Sequence, residues 1–176
     1  MANEPPMRAD DDRRDVIDWM RTEWSARQDS AGSEFVTTMA LLRTHQWVVR
    51  AMDRELRPLR LTRNAYLILT SLQLSDGQTR QLGKLSKYLM VHPTTVSMAV
   101  DQLVKAGFVE RGTHTSDRRT VLATLTPAGE EVVEEANRRL AVIRFGLGAV
   151  DTENLESLIA QLQLVRRSVG DFETGH

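Results

Sequence analysis

The sequence predicts a mainly α fold that carries one small β-hairpin, and three observations lead there. Apolar residues recur every three or four positions along most of the 176 residues. Proline and glycine punctuate these stretches where helices should stop, at Pro58, Gly77 and Gly107. Only FVER (108–111) and TVLATL (120–125) read as strands, the second alternating Val121, Ala123 and Leu125 on one face, with the polar GTHTSDR between them.

Taken in order, residues 1–12 hold two prolines and the acidic run Asp10–Asp12, and no element is expected there. Ile17, Met20 and Trp24 fall at helical spacing, with Val16 and Trp19 beside them, and QDSAGS (28–33) follows as a loop. A helix this short gains little from propagation alone, so its tryptophans need a docking surface. Ser33 is placed to cap a long helix that Pro58 stops near Arg57. The apolar residues of that helix, from Phe35 to Leu56, spread over more than one stripe and call for contacts on several sides. Thr62 stands as N-cap of the next helix, with Leu61 and Tyr66 at the staple positions and Ala65, Ile68, Leu69 and Leu72 on one face. Leu82, Leu85 and Leu89 mark another helix, which MVH interrupts. Residues 92–106 then form a helix with His92 as cap, Pro93 at its first position, Val96, Ala99, Val100 and Leu103 inward, and Gly107 at its end. After the hairpin, Thr126-Pro127 opens a long helix with Val132, Val133, Ala136, Leu140, Ile143 and Leu147 inward, broken around Gly148. Asp151 caps the last helix, which carries Leu155, Leu158, Leu162, Val165 and Val169; its acids at the start and Arg166 and Arg167 at the end suit the helix dipole.

Composition removes several classes of function. No apolar run approaches the roughly 20 residues that cross a bilayer, and the acidic start lacks a signal peptide's apolar stretch, so a cytoplasmic address is expected. Without cysteine there are no disulfides, thiolate metal sites or thiol sensors. The four histidines are far apart and share no metal-ligand spacing, and neither a metal nor a cofactor is expected. No nucleophile–base pair or Gly-rich phosphate loop supports an enzyme. The net charge of −1 conceals an asymmetry: Leu59–Thr126 holds nine basic and four acidic residues, +5, and the remainder carries −6. A positive middle in an acidic frame points to a polyanion that meets the middle.

Two short helices joined by a tight break and followed by strand–loop–strand make a winged helix-turn-helix over residues 59–126. An α-helix fits the DNA major groove, and its leading residues reach base edges. The face of 92–106 opposite its apolar stripe presents Thr94, Met98, Gln102 and Lys105, flanked by Thr95 and Ser97, all candidate DNA contacts. Asp101 on that face would be repelled by phosphates, so it is read as the partner of Lys105 or of a wing arginine. Arg118 and Arg119, at the hairpin tip, can enter the adjacent minor groove, with Asp117 orienting one guanidinium. The competing reading is a winged-helix module for protein–protein assembly that binds no DNA.

The run LGKLSKYLMVHPTTVSMAVDQLVKAGFVER, continued through DRRTVLATLTPAG, resembles the MarR family of bacterial transcription regulators, over about residues 34–170. The resemblance implies a homodimer, in which 34–58 and 127–176 form a helical dimerisation domain behind the 59–126 winged lobe and 1–33 is an N-terminal extension. It implies a DNA-binding regulator, read as a repressor, on a palindromic operator with half-sites about 34 Å apart. A small ligand, aromatic or anionic, would release it from a cleft drawing on Trp24, Met39, Arg43, His45, Trp47 and Tyr66, each of which can instead be a core or dimer-interface residue. Peroxide-sensing members need a cysteine and zinc-responsive members clustered ligands, and both are missing. Where urate-responsive members carry an acidic and a basic contact, this chain has Leu67 and Ala99.

Overall fold

The computed structural model describes residues 15–113 and 120–171. They divide into two compact units, the first ending at Arg50 and the second beginning at Ala51.

In the first unit, α1 (Val16–Ser25) starts at Asp15, whose carboxylate accepts the Ile17 N–H at 2.7 Å. No residue of α1 is buried. The expected docking falls to Trp24, which stacks on Phe35 of the next helix with centroids 3.9 Å apart and donates its indole N–H to the Ser30 carbonyl. The long helix α2 (Gly32–Leu56) begins before the expected cap, Ser33, which lies within its first turn. The physical reason is Ala31: its left-handed φ of 57° turns the chain, and its carbonyl accepts the Phe35 N–H at 3.0 Å. Leu42 and Trp47 of α2 lie exposed, with the Arg50 guanidinium over the indole ring.

In the second unit, Pro58 converts the end of α2 into a 3-10 turn, Arg57–Leu59. Next, α3 (Arg63–Gln73) starts where the Thr62 hydroxyl accepts the Ala65 N–H at 3.2 Å, and it buries Ala65, Tyr66, Ile68, Leu69 and Leu72. The chain continues through β1 (Thr79–Gln81), α4 (Leu82–Tyr88), α5 (Pro93–Lys105), β2 (Val109–Thr113), β3 (Val121–Leu125), α6 (Pro127–Val142) and α7 (Thr152–Ser168). The antiparallel sheet runs β1-β3-β2. The hairpin is therefore part of a three-stranded sheet. Its extra strand, β1, has three half-buried residues, too few to display a period, and is fixed to β3 partly by the Thr79–Thr124 hydroxyl pair at 2.9 Å. One core joins these elements: Leu69 and Leu72 of α3, Val100 of α5, Ala123 of β3 and Val133 and Leu140 of α6 belong to it.

The helix after the wing is shorter than the apolar spacing predicts. It stops at Val142, because Arg144, Phe145, Gly146 and Gly148 all take positive φ, and Leu147 is exposed rather than inward. Val121, at the outer end of β3, is likewise exposed. Asp151 caps α7 as expected; the Asn154 backbone N–H, bound at 2.8 Å, holds its carboxyl below the ordinary aspartate value. Among the described residues no helix is long and apolar enough to cross a membrane.

Candidate nucleic-acid interface

The geometry of α5 follows from its two ends. His92 accepts the Thr94 N–H on Nδ1 at 3.3 Å, and Pro93 occupies the first helical position, where a missing N–H costs nothing. At the other end Gly107 adopts φ 76°; the Phe108 N–H bonds the Leu103 carbonyl and the Gly107 N–H bonds that of Val104, a Schellman closure that requires the left-handed residue. Between these ends Val96, Ala99, Val100 and Leu103 are buried, and the opposite face is therefore set outward. Thr94, Thr95, Met98, Gln102 and Lys105 are all exposed on it.

Ser97 and Asp101 have a different role. The Nη2 of Arg111, on β2, lies 3.1 Å from Asp101 Oδ1 and donates to the Ser97 carbonyl and hydroxyl at 3.2 and 3.1 Å. The wing arginine expected to partner Asp101 is thus Arg111. Both partners are partly exposed, so the pair itself is worth roughly 0.2–1 kcal/mol. Its larger effect is geometric: one guanidinium fixes the outward face of α5 to the wing strand and neutralises the carboxylate that would repel phosphates.

A second clasp holds the far end of α5. The Thr126 N–H donates to Phe108 O at 3.1 Å, its hydroxyl donates to Gly107 O at 2.7 Å, and the same oxygen accepts the Gly129 N–H at 3.0 Å. The end of α5 and the start of α6 are thereby pinned together. Gly129 permits the approach, since a Cβ there would stand 2.0 Å from the Phe108 carbonyl oxygen.

Further basic residues lie on the elements before α5: Lys84 and Lys87 are exposed on α4, and Arg80 of β1 lies over the Tyr88 ring at 5.0 Å. Their only signal in the sequence was the positive charge of the segment. Asp117, Arg118 and Arg119 fall between the ends of β2 and β3 and lie outside the described residues.

The six effector candidates are divided between the two units. Trp24 is engaged with Phe35 and Ser30; Met39 is half-buried, and Arg43, His45 and Trp47 are exposed along α2. Tyr66 belongs to the core of the second unit, where its hydroxyl donates to Asn137 Oδ1 at 2.8 Å and burial pushes the phenol above its ordinary pKa. Among the described residues no group of His, Asp or Glu side chains could hold a metal ion.

A family model described as the MarR family matches residues 61–121. Among solved structures, Sco5413, a MarR family transcriptional regulator from Streptomyces coelicolor, superposes with a TM-score of 0.73 at 35% identity, over 80% of this chain and 97% of that one. Sco3205, another MarR family transcriptional regulator from Streptomyces coelicolor, solved in complex with DNA, gives 0.72 at 24% identity over 81% and 91%. BpsR of Bordetella bronchiseptica, whose DNA binding is regulated by 6-hydroxynicotinic acid, gives 0.65 at 23% over 73% and 91%. These last two likenesses establish the shared fold.

Proposed function

We propose that this chain, which belongs to the MarR family of transcriptional regulators, is a homodimeric repressor that binds a palindromic operator and is released by a small ligand. A transcriptional regulator is not an enzyme, and its work is done by binding. The observation that carries the reading is the outward face of α5: small, polar and exposed at Thr94, Thr95 and Gln102, with Asp101 neutralised by Arg111. In this reading residues 59–126 meet DNA in the cytoplasm, with α5 in the major groove, Lys105 on phosphate, and Arg118 and Arg119 in the minor groove beside Asp117. Residues 34–58 and 127–176 form the dimer. The exposed apolar residues of α7 support this, because a second copy would cover them. The DNA complex of Sco3205 and the ligand regulation of BpsR support the same scheme. Arg43 and His45, exposed on α2, suit an anionic or aromatic effector, with Trp24, Met39 and Trp47 of the same unit as its apolar surroundings.

Fluorescence anisotropy of a labelled duplex across a salt series tests the proposal. Neutralised phosphates predict a steep linear fall of log K with log salt, and Arg118→Ala with Arg119→Ala, which removes four arginines from the dimer, should reduce that slope by about 4. Salt-independent or absent binding would remove the DNA reading, and an unchanged slope in the double variant would remove the wing contact.

A further inference from the structure

The turn between α2 and α3 brings three arginines to one open concavity of about 460 Å³, lined among others by Asp53, Arg57, Arg60, Thr62, Arg63 and Asn64. The local sequence dictates this convergence. Arg57 belongs to the 3-10 turn imposed by Pro58, Arg60 follows it with φ 55° and ψ 27°, and Arg63 opens α3. Elsewhere in the described chain Arg27, Arg54, Arg111, Arg138, Arg139 and Arg166 sit beside carboxylates, Arg50 and Arg80 lie over aromatic rings, and Arg144 donates to the Val150 carbonyl. Among the described residues Arg57, Arg60 and Arg63 form no ion pair, and neither does Asp53. Three cations against one carboxylate leave the concavity at +2. Like charges gathered at short range repel, and the molecule itself does not supply the balancing anion.

A second observation is independent of the charge count. Nη1 of Arg63 exposes less than 1 Å² and has no hydrogen-bond partner. Folded chains rarely shut a donor away from water without an acceptor. The Arg63 and Asn64 N–H groups at the start of α3 add to the field, since a helix leaves its first donors without internal partners, the Ala65 N–H being taken by the Thr62 hydroxyl, and its dipole favours negative charge there.

We infer that this concavity is an oxyanion site, taking a phosphate or carboxylate group gripped by Arg57 and Arg60, with Arg63 completing the cage. Arginine suits the task because its planar fork matches two oxygens at once. A bound anion would tie the last turn of α2 to the first turn of α3. None of these residues belongs to the α5 face or to the six effector candidates, so the site stands independently of the operator reading. The anion has two possible sources, a free small oxyanion or a backbone phosphate of DNA.

The experiment uses the full chain and sodium pyrophosphate at constant ionic strength, followed by isothermal titration calorimetry. The control variant combines Arg57→Gln with Arg60→Gly; glycine accepts φ 55° without strain, so the variant keeps its fold, checked by circular dichroism and melting temperature. A free-oxyanion site predicts saturable binding, one pyrophosphate per chain, weakened at least about tenfold in the variant by loss of two charge-assisted contacts, with the salt slope of duplex binding unchanged. A backbone-phosphate site predicts that the slope falls by about 4 in the variant, which removes four arginines from the dimer. The inference is overturned if neither pyrophosphate binding nor the slope depends on these arginines. Loss of the operator reading would appear separately, as absent duplex binding with pyrophosphate binding intact.

Discussion

Helix α5 buries Val96, Ala99, Val100 and Leu103 within its own chain, whereas α7, with Leu155, Leu158, Leu162 and Val165 in a comparable apolar stripe, buries no residue at all. The amphipathic pattern of the two helices is alike, and the difference lies in what covers it. The winged lobe surrounds α5 with α3, α4 and the sheet, so its apolar side is satisfied internally and its polar side is left for a partner of opposite charge. The apolar stripe of α7 has no cover of its own and suits another copy of the chain. A hydrophobic period says that a face will be buried; it does not say by whom.

The largest effect is expected where the internally satisfied lobe is broken. Gly129→Ala puts a methyl 2.0 Å from the Phe108 carbonyl oxygen and 2.8 Å from Leu125 Cδ1. The cost should be roughly 3 kcal/mol or more, by overpacking against backbone that cannot yield. Urea unfolding should show a strongly lowered midpoint, and an unshifted midpoint would refute the clasp between α5 and α6.

Next comes the uncovered helix. Leu158→Glu with Val165→Glu should weaken dimerisation by about a hundredfold or more, since each apolar group buried is worth about 1.5–3 kcal/mol. Both residues are exposed in the single chain, so its melting behaviour at low concentration should barely change. Light scattering distinguishes the species, and a dimer of undiminished affinity would assign the interface elsewhere.

A smaller effect is expected from Arg111→Ala, which leaves Asp101 unpaired and releases Ser97. Duplex affinity should fall about tenfold, mainly through a faster off-rate, while stability drops by about 1 kcal/mol at most. Equal affinity in surface plasmon resonance would show that the outward face of α5 needs no tether to the wing.

What was legible in the sequence was local. Thr62, His92 and Asp151 cap the helices they were expected to cap, and Thr126-Pro127 opens the helix it was expected to open, because a cap acts within three residues of itself. Gly107 was legible for the same reason. The break after α6 was misplaced because Arg144 and Phe145 take left-handed backbone without a glycine to announce it. Ser33 was misread as a cap because Ala31, with no turn signature, does the turning. Strand β1 was missed because it exists only through its pairing with β3. The outward face of α5 was readable from its spacing, and Asp101 was matched to Lys105 or to a wing arginine; that Arg111 is the partner depended on the register of β2. The cluster of Arg57, Arg60 and Arg63 had no sequence signal, since a turn had to bring the three together.

The outward face of α5 as the DNA-reading surface is tested most directly by Gln102→Glu, which changes the charge of an exposed side chain while keeping its shape. Duplex anisotropy should show affinity lowered by at least about tenfold, as expected for a carboxylate brought against phosphates and base edges, with the melting temperature unchanged. Wild-type affinity in this variant would contradict the assignment of that face.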